Sequence, residues 1–151
     1  MKQLRIYLDT SVIGGCFDRE FEIFSSKLLA EINSGKMIGV FSDVTADELA
    51  NAPDFIQDNF AKIQMKYIEK VVTNQEMISL ADTYLSHKIV TANYKEDALH
   101  IAIATVSRVD VLVSWNFKHI VNLDRIHKFN AINLLEGYQL LEIRSPKELG
   151  I

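Results

Sequence analysis

Four side chains with metal-binding chemistry stand where predicted strands end or predicted helices begin. Asp9 directly follows a short β-prone run, and Glu48 lies just beyond the second such run. Asp97 opens a nearly all-apolar helix, and Asn116 follows a later strand. Mg²⁺ and Mn²⁺ prefer carboxylate oxygens and water, and one or two such ions activate water for in-line displacement at phosphorus. The combination therefore indicates a metal-dependent phosphodiesterase.

Each of these residues also has a purely structural interpretation. Asp9 fits a turn or a helix N-cap, and Glu48 fits a capping box in which it bonds back to the amide of Thr45. Asp97 is stabilised by a helix dipole, and Asn116 fits a loop. Because all four residues fall at the end of a predicted strand or the start of a predicted helix, the catalytic interpretation stays open beside the structural one.

Hydrophobic periodicity predicts the elements that would position these residues. Strands are predicted at 5–8, 37–41, 109–114 and 138–143, with a short one at 71–72. Helices are predicted at about 22–33, from 45 to before Pro53, and at 54–69, 75–87, 95–107 and 123–135. Residues 95–107 are apolar on all sides, which is typical of a buried helix.

The alternation of strands and helices predicts an α/β fold in which helices flank a mostly parallel sheet. Such sheets bind ligands beyond the carboxyl ends of their strands, where the four candidate residues fall. No linker-like segment divides the 151 residues, so we expect a single domain over 1–151.

Composition excludes several other classes of protein. The formal net charge is −4, which excludes a nucleic-acid-binding protein whose whole surface is basic but does not exclude a local basic patch. The single cysteine, Cys16, excludes a disulfide framework and a multi-cysteine zinc site. Without a signal peptide or a run of about 18 apolar residues, the chain is expected to be cytoplasmic and to have no membrane partner.

Four motifs in order along the chain resemble those of the PIN-domain nucleases. They are LDTSVI at 8–13, VTADEL at 44–49, DALHIAIA at 97–104 and VSWNFKHI at 113–120. No single motif is specific, but their order over almost the whole chain is. The size is similar to that of the toxin ribonucleases of bacterial VapBC-type toxin–antitoxin pairs.

The resemblance implies a three-layer α/β/α sandwich with about five mostly parallel strands. It implies that Asp9, Glu48 and Asp97, together with Asn116, form an acidic pocket for Mg²⁺ or Mn²⁺ that hydrolyses RNA through a metal-activated water. It also implies an antitoxin protein as a partner and a homodimer as a plausible assembly.

Asn116 departs from the family pattern, which often has a further aspartate at this place. An amide oxygen still ligates but adds no charge, so we expect a second ion to bind more weakly than the first. Asp124, eight residues further along the chain, is the candidate to compensate for the missing charge. Thr10 and Ser114 are candidates for contact with metal-bound water or phosphate.

Basic residues form two candidate surfaces for nucleic acid. Lys62, Lys66 and Lys70 recur every four residues on the predicted helix 54–69, and a solvated helix face is the better interpretation. Beside Asn116, Lys118 leads a second cluster that is a candidate for phosphate contact, completed by His119, Arg125, His127 and Lys128. Trp115 and His100 are expected to be packed residues rather than ligands.

Two other functions remain open at this point. A catalytically weakened PIN-like domain that binds nucleic acid or protein is favoured by Asn116 and by the acidic net charge. A haloacid-dehalogenase-type phosphatase would use Asp9, but it needs an aspartate two residues later, where this chain has Ser11.

Overall fold

The computed structural model describes residues 2–151, and its centre is a five-stranded parallel sheet in the order β3-β2-β1-β4-β5. The strands are β1 (Leu4–Leu8), β2 (Met37–Ser42), β3 (Ile68–Val71), β4 (Val111–Val113) and β5 (Ile143–Arg144). The helices are α1 (Thr10–Gly15), α2 (Glu22–Asn33), α3 (Asp43–Ala50), α4 (Asp54–Ala61), α5 (Gln75–Ser86), α6 (Lys95–Val106) and α7 (Leu123–Leu135).

Alternating side chains of the central strand β1 divide the core into two layers. Ile6 and Leu8 face a cluster that contains residues of α1, α2 and α3, whereas Tyr7 faces a cluster built on α5, α6 and α7. All three of these strand residues are fully buried. Helices therefore cover both faces of the sheet, and the α/β fold predicted from the sequence is confirmed.

The helix α6 lies deepest in the second layer. Seven of its twelve residues are buried, from Ala98 to Thr105, and it packs against both α5 and β4. This confirms the prediction of a buried helix from its all-round apolarity. Its first turn, which carries Asp97, emerges at the carboxyl edge of the sheet.

Several predicted elements are confirmed within a residue or two. The helices predicted at 22–33 and 123–135 have those bounds, and the helices predicted at 75–87 and 95–107 end one residue earlier. The predicted turn after Asp9 is instead the short helix α1, because Thr10 to Gly15 continue in helical conformation despite two glycines.

Two other predictions are wrong. Residues 54–69 are not one helix: α4 ends at Ala61, a 3-10 turn follows at Met65–Tyr67, and β3 begins at Ile68. Lys62 consequently follows the end of α4, Lys66 lies in the 3-10 turn and Lys70 lies on β3, so the three lysines share no helical face. The predicted strand 138–143 is reduced to Ile143–Arg144, because only these residues pair with β4.

None of the helices among residues 2–151 combines the length and the apolarity needed to cross a membrane.

Candidate active site

The topology brings the four candidate residues to the carboxyl edge of the sheet. Asp9 directly follows β1, Glu48 lies on α3 after β2, and Asn116 follows β4. Asp97 lies in the first turn of α6. The charges of Asp9 and Glu48 both contribute to raising the pKa of the Asp97 carboxyl, so the three acids interact through space.

Asp9 is a buried carboxylate held by two serines. Its Oδ1 accepts a hydrogen bond of 2.5 Å from Ser11 Oγ, and its Oδ2 accepts one of 2.5 Å from Ser114 Oγ. The side chain stands at the N-cap position of α1 but makes no capping hydrogen bond. Burial raises the pKa of Asp9 despite these two bonds. The residue is therefore fixed in place without a countercharge in direct contact.

Glu48 is held by a histidine rather than by its own helix terminus. Its Oε1 lies 2.6 Å from Nε2 of His100, a residue that is only 2% exposed. Burial disfavours the ionised form of Glu48, but the hydrogen bond and charge of His100 outweigh it and lower the pKa of the carboxyl. The predicted capping box is wrong, because Ser42 caps α3 by accepting from the amide of Thr45.

Asp97 and Asn116 complete the acidic cluster, the group formed by the four candidate residues. Burial is the main cause of the raised pKa of Asp97, and the amide of Asn116 acts against it by hydrogen bonding. Oδ1 of Asn116 accepts from the backbone amides of Lys118 and His119 at 3.2 and 3.0 Å. In this arrangement the oxygen of Asn116 shapes its loop, and its role as a metal ligand stays a prediction.

The other sequence-predicted residues occupy distinct positions around the cluster. Ser114 contacts Asp9 directly, and the hydroxyl of Thr10 is buried with no hydrogen-bond partner among residues 2–151. Lys118 is exposed beside Asn116. Asp124 lies on the surface and pairs with Lys128 at 2.9 Å, so nothing in this arrangement brings it to the cluster.

His100 and Ser11 are the neighbours of the acids that sequence reasoning did not assign to the site. His100 was expected to be packed, and it is, but it also contacts Glu48. The spacing from Asp97 to His100 is three residues, which places both on one face of α6. This spacing could have indicated His100 as a neighbour of the acids. It would have done so only if the contact of this face of α6 with α3 had been known.

The donor set fits a hard divalent cation in its chemistry. Asp9, Glu48 and Asp97 offer oxygens only, and their accumulated negative charge is the kind that a cation relieves. Among residues 2–151, however, no three His, Cys, Asp or Glu side chains form a ready-made metal cage. In this arrangement the three carboxylates are therefore neighbours at one edge of the sheet without converging on a single point.

Exposed aromatic and basic side chains border the cluster. Phe117 is 48% exposed directly after Asn116, and Tyr94 is 38% exposed just before α6. Nζ of Lys118 lies 5.9 Å from the centre of the Tyr94 ring, whose other neighbour is the buried His119 at 3.9 Å between ring centres. Trp115 is buried, as expected, and stacks on Phe21.

No protein-family model matches the chain, and no curated protein matches it by sequence.

Solved structures nonetheless share its fold. The VapBC2 structure from Rickettsia felis, bound to a DNA fragment from its promoter, matches with a TM-score of 0.61 at 14% identity, over 94% of this chain and 98% of that one. FitAcB from Neisseria gonorrhoeae gives 0.60 at 14% identity over 95% and 99%. Mycobacterium tuberculosis VapC20, a sarcin-ricin loop cleaving toxin, gives 0.56 at 14% identity over 91% and 98%.

These likenesses define the class of fold. The five parallel strands and their flanking helices match the PIN-domain structures of VapC-type toxins, so the resemblance inferred from the four motifs is confirmed for the fold.

Proposed function

We propose that this protein is a single-domain endoribonuclease that depends on Mg²⁺ or Mn²⁺ and acts as the toxin of a toxin–antitoxin pair. The observation that carries the proposal is the meeting of Asp9, Glu48 and Asp97 at one edge of the sheet, where their charges act on one another. The likeness to VapC20, which cleaves the sarcin-ricin loop, and to the VapBC2 and FitAcB structures supports the same class.

The three carboxylates would hold the metal, with Asn116 as the fourth candidate ligand. A bound Mg²⁺ or Mn²⁺ supplies a water of lowered pKa and neutralises charge on the phosphate. Ser11 and Ser114 fix the orientation of the Asp9 carboxylate, because each serine hydroxyl donates a hydrogen bond to one of its two oxygens. No side chain of the cluster is needed as a covalent nucleophile.

The border of the site suits a nucleic acid. Lys118 is an exposed cation next to the acidic cluster and is able to contact a phosphate. The exposed rings of Tyr94 and Phe117 are able to stack on unpaired bases. A polyanion needs such contacts here because the chain as a whole carries a net charge of −4.

The first experiment is to incubate the purified protein with single-stranded RNA in Mn²⁺ and, separately, in EDTA. We expect cleavage in Mn²⁺ only, and no cleavage by the Asp97→Asn variant prepared in parallel. The variant guards against a contaminating nuclease, because it passes through the same purification. Equal cleavage by parent and variant would show that the acids are not the site.

A second prediction concerns Asn116→Asp. A carboxylate would still accept from the amides of Lys118 and His119 but would turn a charged oxygen, instead of an amide, toward Asp97. We therefore expect tighter Mn²⁺ binding and a lower free energy of unfolding without metal. Calorimetric titration with Mn²⁺ measures the first, and urea unfolding in EDTA measures the second. Unchanged or weaker Mn²⁺ binding would place residue 116 outside the metal site.

Protein binding without catalysis is the second candidate function. A groove of about 870 Å³ beside α3 is lined by five acidic and five apolar side chains but by only one cation, Lys95, and such an acidic excess repels phosphate. The acidic residues are Asp43, Asp47, Glu48, Asp82 and Glu96, and the apolar ones are Val44, Ile78, Ala81, Leu85 and Leu99. This function is favoured if the parent binds neither Mn²⁺ nor RNA.

A further inference from the structure

A continuous chain of buried hydrogen bonds links the sheet to the candidate site. Ser42 Oγ lies 2.8 Å from the hydroxyl of Tyr7, which lies 2.6 Å from Nδ1 of His100. Nε2 of the same imidazole lies 2.6 Å from Oε1 of Glu48. Ser42, Tyr7 and His100 are at most 3% exposed, so water does not compete for these bonds.

The chemistry of the partners decides the direction of the last bond. An ionised carboxylate only accepts hydrogen bonds, so Nε2 of His100 carries the proton that it donates to Glu48. Nδ1 pairs with the Tyr7 hydroxyl, as the acceptor in the neutral imidazole and as the donor in the imidazolium, and the same hydroxyl pairs with Ser42 Oγ. The backbone amide of Thr45 in turn donates to Ser42 Oγ at 3.3 Å, which ties the chain to the start of α3.

We infer that His100 is a positioning residue that fixes Glu48 for metal binding. The Tyr7 hydroxyl fixes the orientation of the imidazole through its hydrogen bond with Nδ1. This inference rests on the proposed function. Glu48 has a flexible side chain and is about one-third exposed, so it needs an anchor to present its carboxylate at one place. The anchor comes from the interior: Tyr7 is on the central strand, and His100 is on the deepest helix.

Two substitutions of His100 separate positioning from packing. The amide nitrogen of glutamine reaches about as far as Nε2, so His100→Gln keeps a donor for Glu48. The amide of asparagine reaches only about as far as Nδ1, so His100→Asn keeps a partner for Tyr7 and loses Glu48. We expect His100→Asn to bind Mn²⁺ about 10–100-fold more weakly, the usual effect of removing a residue that orients a metal ligand.

Calorimetric titration with Mn²⁺ is the main readout, and cleavage kinetics are the second. His100→Gln should retain most of the Mn²⁺ affinity, and Tyr7→Phe should lose part of it because Nδ1 is no longer held. In cleavage, His100→Asn should lower kcat while leaving KM for RNA near that of the parent. Tyr84→Phe is the matched control, because it removes a buried hydroxyl that bonds Asn133 away from the site.

A double-mutant cycle supplies a readout that needs neither metal nor activity. Urea unfolding in EDTA of the parent, His100→Asn, Glu48→Gln and the double variant should show favourable coupling between the two residues. If His100→Asn fails to fold, the Mn²⁺ affinities of Tyr7→Phe and His100→Gln test the positioning role instead. Weaker binding by Tyr7→Phe with nearly parent-like binding by His100→Gln supports it, and parent-like binding by Tyr7→Phe contradicts it.

The outcomes distinguish this inference from the proposed function. Parent-like Mn²⁺ affinity in a folded His100→Asn, or equal losses in His100→Asn, His100→Gln and Tyr84→Phe, would overturn the positioning role while the parent still cleaves RNA. A parent that neither binds Mn²⁺ nor cleaves RNA would overturn the proposed function and with it the metal-binding part of this inference. The cycle in EDTA would then still report whether His100 holds Glu48.

Discussion

Asp9→Asn is expected to reduce RNA cleavage by at least about a hundredfold while leaving the protein folded. Losses of this size follow when one electrostatic group at a reacting centre is removed. Asp9 is the most deeply buried of the three acids, and serines hold both of its oxygens, so the fold fixes its carboxylate at this place. Cleavage rates in Mn²⁺ for parent and variant measure the effect.

The same substitution should have little effect on stability. Burial penalises the charge of Asp9, and asparagine removes that charge while keeping one acceptor for Ser11 or Ser114. We expect the free energy of unfolding in EDTA at neutral pH to stay within about 1 kcal/mol of the parent or to rise. Urea unfolding measures it.

Asp124→Asn is the matched control, because it removes the same charge from the exposed start of α7. Its cleavage rate should equal that of the parent. Undiminished cleavage by Asp9→Asn, or an equal loss in both variants, would contradict the assignment of Asp9 to the site.

Gly15→Ala is expected to destabilise the protein by about 2–3 kcal/mol, the upper part of the usual cost of overpacking a core. A Cβ atom at Gly15 would lie 2.5 Å from Ser25 Oγ and 2.7 Å from Trp115 Nε1. These two atoms form a buried hydrogen bond of 2.8 Å, so the methyl group would force them apart. Urea unfolding measures the change.

Cleavage by Gly15→Ala should fall as well. The backbone amide of Trp115 donates to Ser11 Oγ, which in turn holds Asp9, so a shift of Trp115 is transmitted to the site.

Gly14→Ala is the control for Gly15→Ala, since it makes the same change one residue earlier in α1. Its Cβ would meet only Ile56 Cδ1 at 3.8 Å, an ordinary contact. Alanine is favoured over glycine in a helix by about 1 kcal/mol, so Gly14→Ala should be neutral or stabilising. Parent-like stability of Gly15→Ala would show that α1 moves away from Trp115 at little cost.

The contact between His100 and Glu48 illustrates what local patterns cannot supply. The two residues are 52 positions apart, and they meet because α3 and α6 start at the same edge of the sheet. From the sequence alone, Glu48 fits a capping box equally well. That local alternative fails because Ser42, the last residue of β2, already caps α3.

The wrong helix at 54–69 has a similar cause. Tyr67 continues the apolar spacing of α4, but it packs against the first layer from the 3-10 turn that follows the end of the helix. Pairing with β2 draws Ile68 to Val71 into the sheet as its edge strand. The hydrophobic periodicity of a short segment cannot predict this pairing, because β2, which supplies the hydrogen-bond partners, lies about 30 positions earlier in the chain.

By itself, the sequence determined the alternation of strands and helices, the buried helix α6 and the residue types at the strand ends. These follow from hydrophobic spacing and from backbone preferences, which act over a few residues. Only the tertiary structure decided which polar groups meet: the serines on Asp9, the histidine on Glu48 and the asparagine beside Asp97. Their contacts depend on the order of strands in the sheet, since parallel pairing brings distant strand ends together.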